Sequence, residues 1–576
     1  MSSTRESSFM KSVFHGVIAE DLVFPFPELD TEEKDNIQLI LANVRKFAES
    51  HIDAAAIDRE HAIPKQVLEG LKEMGLFGLS IPEEYDGIGL SNTAYARVMQ
   101  EVATIDSSLA VSLGAHQSIG LKAIVLFGTE AQKKKYLPRL ATGECIAAFA
   151  LTEPGAGSDA ASITTKAELS SDGEHYILNG SKIWITNGGF ADVFTVFART
   201  NQNDESSKPR ITALIVERGE GLSSGPNEDK LGIRGSSTTE IFFEDVKVPA
   251  ANVIGETGHG FKVAMEVLNN GRLGLAAGCV GGCRMLLGLA TERVNERHAF
   301  GRPIGQFDMI KEKIANMAAE TYALESMTYL TTGLIDSKRA KDYSLESAIC
   351  KVFGSETLWR VVNETLQIAA GIGYMSEYPY ERYLRDARIN MIFEGTNEIL
   401  RAFIALSGIQ GPGKQLKEVT RAIREPIKGF GLLSDFAIQR ARSALGRERL
   451  NRVHPSLKKE AVLFEECTAA LARETERILF KHGKDITDRQ FAQRRIAEVA
   501  IDLFGIVAVL SRTTQAIEQK GEEACAGQID LCKAFCAMAE ARLSERLRQA
   551  KTENDELLKQ VAKSTYEHNG YPYDII

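Results

Sequence analysis

The chain has 576 residues, which is too long for a single hydrophobic core and predicts three or four domains. Its composition is typical of a soluble globular protein, with 44% hydrophobic, 25% charged and 7% aromatic residues. The net charge of −10 argues against general nucleic-acid binding, because the phosphate backbone attracts basic surfaces.

Targeting segments and metal sites are not expected from the sequence. No apolar run approaches the roughly 18 residues that a membrane-spanning helix needs. The first twenty residues mix acidic and basic side chains, which is unlike a secretory or transit signal. The eight cysteines lack disulfide spacing, which fits a reducing compartment. Cys532 and Cys536 share a helical face, where core packing is favoured over a metal site with only two ligands, so we predict no metal.

The first predicted domain is helical and covers residues 1–145. Apolar residues recur there at three- and four-residue spacing, which is the period of an amphipathic helix. Gly75 stands where the second helix should stop. The predicted helices cover residues 35–50, 64–74, 92–105 and 115–126.

The second predicted domain, residues 146–259, has the period of β-strands. Its β-rich segments are short and are separated by turns, with no helix between them, which favours a small antiparallel sheet or barrel over a Rossmann unit. The predicted strands cover residues 146–151, 162–169, 175–178, 193–198, 211–216 and 240–248.

The helical period returns at residue 260 and predicts a four-helix bundle over 260–410. The glycine-rich stretch 408–413 is a predicted hinge. A linker, 411–459, and a second helical domain, 460–576, follow it. The fold class is therefore α+β and mostly α.

The linker is basic in an acidic protein. Residues 414–459 contain twelve Lys or Arg against four Asp or Glu, and the middle of this stretch is apolar on one side. This pattern favours a helix on a membrane surface, and the alternative is an ordinary exposed segment. The predicted location is cytoplasmic, with peripheral contact at the inner face of the cell membrane, or at the mitochondrial matrix face if the protein is eukaryotic and already processed.

The segment 391–401 holds the strongest candidate for a catalytic group. Glu394 follows Ile392 and Phe393 and precedes Gly395, which tolerates unusual backbone angles. Thr396 is placed to cap the helix that begins next. A carboxylate partly removed from water has a raised pKa and can accept a proton near neutral pH. The alternative is that Glu394 only complements the positive end of that helix.

Other motifs combine glycines, hydroxyls and one of the two tryptophans. The stretch 151–159 ends a strand with two glycines and two hydroxyls, and it is not a dinucleotide fingerprint. Trp184, two residues before Thr186, is suited to stack on a flat cofactor, although a core tryptophan is an equal alternative. Three further motifs lie in the bundle, at residues 269–272, 296–301 and 367–374.

These motifs, in this order, resemble the acyl-CoA dehydrogenases, and the chain resembles the very-long-chain branch most. The resemblance is strong over residues 35–407. The stretch 115–120, the Asn-Asn-Gly-Arg element at 269–272 and the extra helical domain are the features shared with that branch. The resemblance implies an α-domain, a β-domain and a four-helix bundle that together hold FAD, with part of the cofactor site contributed by a neighbouring subunit.

The resemblance also implies roles for individual residues. Thr152, Ser158, Trp184 and Thr186 match contacts to the flavin or to CoA, and Ser158, Asn269, Arg272 and Gly395 match substrate contacts, with Arg272 near the CoA adenine. The residues that match the remaining FAD contacts are Phe149, Leu151, Ile185, Arg297, Phe300, Gln367, Ala370, Gly371, Thr396 and Asn397.

The implied reaction is the first step of fatty acid β-oxidation. Glu394 takes the α-proton of a long-chain acyl-CoA while the β-hydrogen passes as hydride to the flavin, which yields a trans-2-enoyl-CoA. Some relatives draw the base from the position of Gly271, which has no side chain for that task. Electron-transfer flavoprotein is the expected acceptor and a homodimer the expected assembly. Alternatives are an acyl-CoA oxidase, which passes electrons to oxygen, and a membrane-associated assembly factor on the same fold.

Overall fold

The computed structural model describes residues 8–200, 210–424, 448–549 and 554–575, and side chains up to 414 in the second of these ranges. Contacts divide the chain into two units, one of Met1–Phe24 with Leu400–Ile576 and one of Pro25–Ile399. The predicted first domain began at residue 1, whereas the structure assigns the two short helices α1 (Phe9–Phe14) and α2 (Glu20–Val23) to the same unit as the C-terminal helices.

The unit Pro25–Ile399 begins with a group of helices. Most begin at a side-chain cap: for example, Ser91 accepts a hydrogen bond from the N–H of Ala94 at 3.1 Å. The predicted helix over 115–126 is interrupted by a π-helical turn, Ala115–Gly120. The helices are α3 (Thr31–His51), α4 (Ala54–Glu60), α5 (Lys65–Glu73), α6 (Asn92–Ile105), α7 (Ser107–Gly114), α8 (Lys122–Phe127) and α9 (Glu130–Ala141).

The β-domain is one sheet in the order β6-β7-β3-β2-β4-β5-β8, with β1 paired to β4. Most neighbours are antiparallel, as predicted, but β1 and β2 both pair with β4 in parallel, so the sheet is mixed. A parallel pair needs a crossover, and β2 and β3 lie in the chain between β1 and β4. The strands are β1 (Ala147–Ala150), β2 (Lys166–Leu169), β3 (His175–Thr186), β4 (Val193–Arg199), β5 (Ile211–Glu217), β6 (Leu222–Ser224), β7 (Thr238–Pro249) and β8 (Val253–Ile254).

Long helices complete this unit and form the predicted bundle. They pack through apolar and small residues, including buried Ala276, Ala348 and Val352. A two-stranded ribbon of β9 (His298–Ala299) and β10 (Arg302–Pro303) separates the first two. The helices are α10 (Gly260–Glu296), α11 (Asp308–Asp336), α12 (Ser344–Ala369) and α13 (Tyr380–Arg388). The next helix, α14 (Asn397–Arg424), begins in this unit and continues into the segment Leu400–Ile576.

The predicted hinge at 408–413 is wrong, because α14 continues through it. A Cβ at Gly408 would lie 2.4 Å from the Phe14 ring, and one at Gly411 would lie 2.4 Å from His15. These glycines therefore allow the helix to approach the N-terminal segment closely. The remaining helices of the unit Met1–Phe24 with Leu400–Ile576 are α15 (Lys458–His482), α16 (Gln490–Lys520), α17 (Ala526–Gln549) and α18 (Asn554–Glu567).

Cys532 and Cys536 are buried in α17, as core packing predicts.

The basic linker predicted to contact a membrane lies largely outside the described residues, because 425–447 are not described. Two stretches, Ser107–Phe127 and Gly260–Glu296, are long and apolar enough to cross a bilayer, which corrects the expectation that no run reaches that length. Within the apolar 18-residue window of each stretch, 61% and 50% of the residues are buried, as in the core helices of a globular domain.

Candidate active site

Glu394 lies on a turn with two consecutive residues in left-handed conformations, φ 59° at Glu394 and 90° at Gly395. A glycine adopts such angles freely, whereas a glutamate does so at a cost of about 1 kcal/mol or more. The helix α14 then begins at Asn397, and the Thr396 hydroxyl accepts a hydrogen bond from the N–H of Ile399 at 3.4 Å. The predicted cap and glycine turn are both present, and the glutamate itself adopts the strained conformation.

Two buried cations hold the carbonyl groups of this turn. Arg272 Nε of α10 donates to the Glu394 carbonyl at 3.3 Å, and Lys351 Nζ of α12 donates to the Gly395 carbonyl at 2.8 Å. Arg272 Nη1 also donates to Asn269 Oδ1 at 2.9 Å, and Arg272 is only 6% exposed. The prediction that Arg272 contacts the CoA adenine is therefore corrected, because this guanidinium is buried under the Glu394 turn.

The Glu394 carboxyl is crowded by protein and poorly solvated. Its Oε2 is buried and has no hydrogen-bond partner among the described residues. A Cβ placed on Gly271 would lie 3.0 Å from this oxygen, so the two positions from which the family draws its base are adjacent here. Burial raises the pKa of Glu394 to about 6, against the opposing effect of Arg272 and Lys351. This value suits a base that works near neutral pH.

A cavity of about 140 Å³ begins at Glu394 and Thr186 and extends between α6, α7, the π-helical turn and α10. Helix α10 lines it with a stripe of glycines at helical spacing: Gly271, Gly274, Gly278 and Gly282. A Cβ at Gly278 would lie 3.6 Å from the Cβ of Ala103 on the facing helix α6. Because the stripe has no side chains, it leaves an apolar channel between closely packed helices.

The small residues around the π-helical turn have two roles. Gly114 lines the cavity. Gly120 instead allows close packing, since a Cβ there would lie 2.7 Å from the Ala115 carbonyl oxygen. His116 ties the turn to the sheet, because its Nδ1 accepts from the N–H of Ala147 at 2.9 Å. Burial lowers the pKa of His116 to about 4, so the ring is neutral.

The residues predicted to meet the flavin lie around β3 and the segment that follows β1. Trp184 sits at an irregularity of the β3–β7 pairing with φ 58° and is 62% exposed, so it is available for stacking and is not a core tryptophan. The hydroxyls of Thr152, Ser158 and Thr186 make no hydrogen bond within the described residues.

Three other predicted flavin contacts are less accessible. Leu151 and Ile185 are 7% and 2% exposed, so they can meet a cofactor through the backbone more readily than through the side chain. Phe149 is half-buried and packs on Phe197. Asn397 is 2% exposed and directs its side chain to Lys351, Ser355 and Glu356, which leaves its N–H at the start of α14 as the group for an anionic ligand.

A second set of predicted FAD contacts lies on the surface and not in this cavity. Phe300 is 94% exposed and has φ 52°, and Ala370 has φ 56°. All members of the set are exposed, which fits residues that serve the site of a neighbouring subunit. The set is Arg297, Phe300, Gln367, Ala370 and Gly371.

Sequence reasoning missed the pair that anchors the flavin side. Glu153 and Lys182 are buried at 4% and 0% side-chain exposure, with Nζ and Oε1 2.8 Å apart. Lys182 also donates to the Leu151 carbonyl at 3.0 Å. Burial alone would raise the pKa of Glu153, but Lys182 and nearby donors lower it to about 2. The pair fastens the segment with Thr152 to the strand with Trp184.

An FAD cofactor fits these residues. The exposed indole of Trp184 can stack on its ring, and three hydroxyls that have no hydrogen-bond partner in the part of the chain that the structure describes can meet its polar atoms. The hydroxyls are those of Thr152, Ser158 and Thr186, and Thr186 lines the same cavity as Glu394. Gly155 and Gly157 stand in open space, with no heavy atom within 4 Å of an added Cβ. Glu394 and Thr186 line one apolar cavity, and Trp184 is exposed on the same strand as Thr186. These are the groups that a flavin-dependent dehydrogenase of an apolar substrate uses.

Comparison with known proteins agrees with this class. Family models match in order: "Acyl-CoA dehydrogenase, N-terminal domain" at 34–144, "middle domain" at 148–246, "C-terminal domain" at 258–408 and "ACAD9/ACADV, C-terminal domain" at 455–571. The chain belongs to the acyl-CoA dehydrogenase family. It is an FAD-dependent enzyme that dehydrogenates acyl-CoA in fatty acid oxidation.

Three similar proteins extend the match over the whole chain. The very long-chain specific acyl-CoA dehydrogenase, mitochondrial, of Bos taurus is 44% identical, over 99% of this chain and 90% of its own. That of Homo sapiens is 45% identical, over 93% and 83%. The crystal structure of an acyl-CoA dehydrogenase complexed with FAD from Bacillus anthracis has a TM-score of 0.79 at 32% identity, covering 99% of this chain and 96% of that one.

Proposed function

We propose that the substrate is a long- or very-long-chain acyl-CoA and that Glu394 is the catalytic base. The observation that supports this most is the apolar channel that leads away from the Glu394 carboxyl along the glycine stripe of α10. Very long-chain specific enzymes are also among the most similar relatives.

The length of the channel supports a long acyl chain. Gly271 packs against the Glu394 carboxyl, and Met285 lines the same cavity on the same helix. They are separated by 14 residues, which at the rise of an α-helix is about 21 Å. A short acyl group would leave most of this apolar wall uncovered, whereas each buried methylene contributes about 0.8 kcal/mol.

The chain's own groups supply proton removal and orientation. FAD, when bound, supplies a hydride acceptor. Glu394 removes the α-proton of the thioester, since its carboxyl is poorly solvated and has a raised pKa. Within the described residues the Glu394 N–H has no acceptor, which leaves it available to donate to the thioester oxygen as negative charge develops there.

We also propose a homodimer, with electron-transfer flavoprotein as the acceptor. The exposed set that contains Arg297 and Phe300 supports a shared site, because these residues match FAD contacts but lie away from the cavity of their own chain. A solution mass that corresponds to a monomer or a tetramer would contradict the dimer.

Membrane contact through 414–459 is proposed from the basic, one-sided sequence of that segment. Its site would be the inner face of the cell membrane, or the matrix face in a mitochondrion. Deletion of residues 430–450 should weaken liposome binding while soluble turnover stays near the wild-type rate. Unchanged binding after the deletion would refute the contact.

The decisive experiment is anaerobic bleaching of the bound flavin with saturated acyl-CoAs of four to twenty carbons, in wild type and Glu394→Gln. We expect bleaching that is strongest with long chains and slowed at least about 10²–10⁴-fold in the variant, as for the loss of a general base. Equal bleaching by the variant would refute the base, and a maximum at short chains would refute the substrate class. Rapid peroxide formation in air would favour an oxidase.

A further inference from the structure

Lys351 is a buried ammonium in the middle of α12 with no obvious structural need. It is 0% exposed, and within the described residues no carboxylate lies within ion-pair distance of its Nζ. Its hydrogen bonds go to the Gly395 carbonyl at 2.8 Å and to Asn397 Oδ1 at 2.9 Å. A buried charge without a counter-charge costs several kcal/mol, so an apolar residue of similar size would suit the helix packing better.

The two acceptors of Lys351 flank Thr396, at the point where the catalytic turn becomes α14. One acceptor is the carbonyl of Gly395. Both Gly395 and the preceding Glu394 have a left-handed backbone conformation. Strained backbone of this kind persists only where its surroundings hold it in place. Arg272 holds the first carbonyl of the turn and Lys351 holds the second.

The charge of Lys351 also acts on the base. The charged and titratable groups that act on Lys351 are Glu394, Glu356 on its own helix, and Cys279 and Arg272 on α10. The two cations that act on Glu394 are Arg272 and Lys351. An ammonium near a buried carboxylate favours the ionised form, which is the form that accepts a proton.

We propose that Lys351 is a positioning residue for dehydrogenation: it fixes the Glu394 turn through the Gly395 carbonyl, 2.8 Å from its Nζ, and places a positive charge beside that turn. This inference rests on the proposed role of Glu394. It adds a residue from a different helix, 43 positions earlier in the chain, that touches neither the α-proton nor the hydride acceptor.

Two variants separate the hydrogen bond from the charge. Lys351→Met keeps the length of the side chain and removes both, whereas Lys351→Gln keeps a donor and removes only the charge. Lys122→Met is the matched control, since it removes another largely enclosed ammonium, on α8, that has no contact with the catalytic turn. All are assayed as FAD-loaded enzymes by stopped-flow flavin bleaching with palmitoyl-CoA, as a function of pH.

We expect Lys351→Met to bleach about tenfold to a hundredfold more slowly, as for a misplaced catalytic group. The midpoint of its pH–rate profile should move up by about one pH unit or more. Lys351→Gln should regain part of the rate and keep the shifted midpoint, and the control should match wild type in both. These outcomes require an active wild type that depends on Glu394, which the Glu394→Gln comparison establishes separately.

A wild-type rate and midpoint in Lys351→Met would overturn the inference. A slower rate with an unshifted midpoint in both Lys351 variants would also overturn it, because only packing would then have changed. Equal shifts in Lys122→Met would overturn it as well, since the effect would not be specific to the turn. If Lys351→Met fails to fold, the midpoint in Lys351→Gln alone decides.

Discussion

Filling the glycine stripe should shorten the acyl chain that the enzyme accepts. Gly278 lies halfway between Gly271 and Met285, seven residues or about 10 Å along α10 from the Glu394 end of the channel. A Cβ at Gly278 is already 3.6 Å from Ala103 Cβ, so a leucine side chain must occupy the channel. About half of the length of the apolar channel is then closed to the acyl chain of the substrate. Each methylene that cannot be buried costs about 0.8 kcal/mol. An acyl chain with about four methylenes that no longer fit in the channel therefore loses about 3 kcal/mol, or about two-hundredfold in kcat/KM.

The assay is kcat/KM for acyl-CoAs of eight, twelve, sixteen and twenty carbons with Gly278→Leu. The eight-carbon substrate should keep a rate near wild type, and the loss should grow with chain length. Gly278→Ala should lose little, because its methyl group makes an ordinary contact. Gly288→Leu adds the same side chain to α10 where nothing lies within 4 Å, and it should leave the ranking unchanged. A wild-type ranking in Gly278→Leu with FAD bound would refute the assigned channel.

Three further predictions concern the base and its supports. Because Glu394 must be unprotonated to act and burial raises its pKa to about 6, flavin bleaching should slow as pH falls through 6; a flat rate down to pH 5 would contradict this. Glu153→Gln leaves the buried Lys182 without its counter-charge, which should lower the free energy of unfolding in denaturant titration by about 3–5 kcal/mol and reduce FAD retention. The control Lys166→Met, which breaks an exposed ion pair, should change the free energy of unfolding by less than about 1 kcal/mol. His116→Leu leaves the Ala147 N–H unpaired, which should cost about 1–3 kcal/mol and weaken turnover of long chains; unchanged thermal unfolding would disprove the tie between the π-helical turn and β1.

Local signals predicted much of the fold. The helix over 92–105 has the bounds of α6, because Ser91 supplies a cap and the apolar period is strong. Short β-rich segments with turns predicted the strands, but the parallel pairing of β1 with β4 depends on partners far apart in the chain, which local periodicity does not encode.

The site shows the same division between local and distant information. The Glu394 turn was predicted from adjacent residues, since a glycine, a cap and an apolar approach are all local. Arg272 was misassigned because a motif does not state which way a helical side chain points, and here it points under the turn. Lys351 gave one unused signal: a lysine within the apolar run 348–353, on a face that the helical period would bury.

The N-terminal segment has a consequence for synthesis. Phe9, Met10 and Val13 are fully buried in the unit formed with Leu400–Ile576, and the Asn451 N–H donates to Glu20 Oε2 at 2.8 Å across 431 positions. Phe9–Phe24 therefore find their partners only after residues beyond 400 have been synthesised, whereas Pro25–Ile399 can fold earlier. Domains generally fold as they emerge, but this unit joins two segments that are separated by Pro25–Ile399, so a product that stops before residue 400 leaves Phe9, Met10 and Val13 exposed to water.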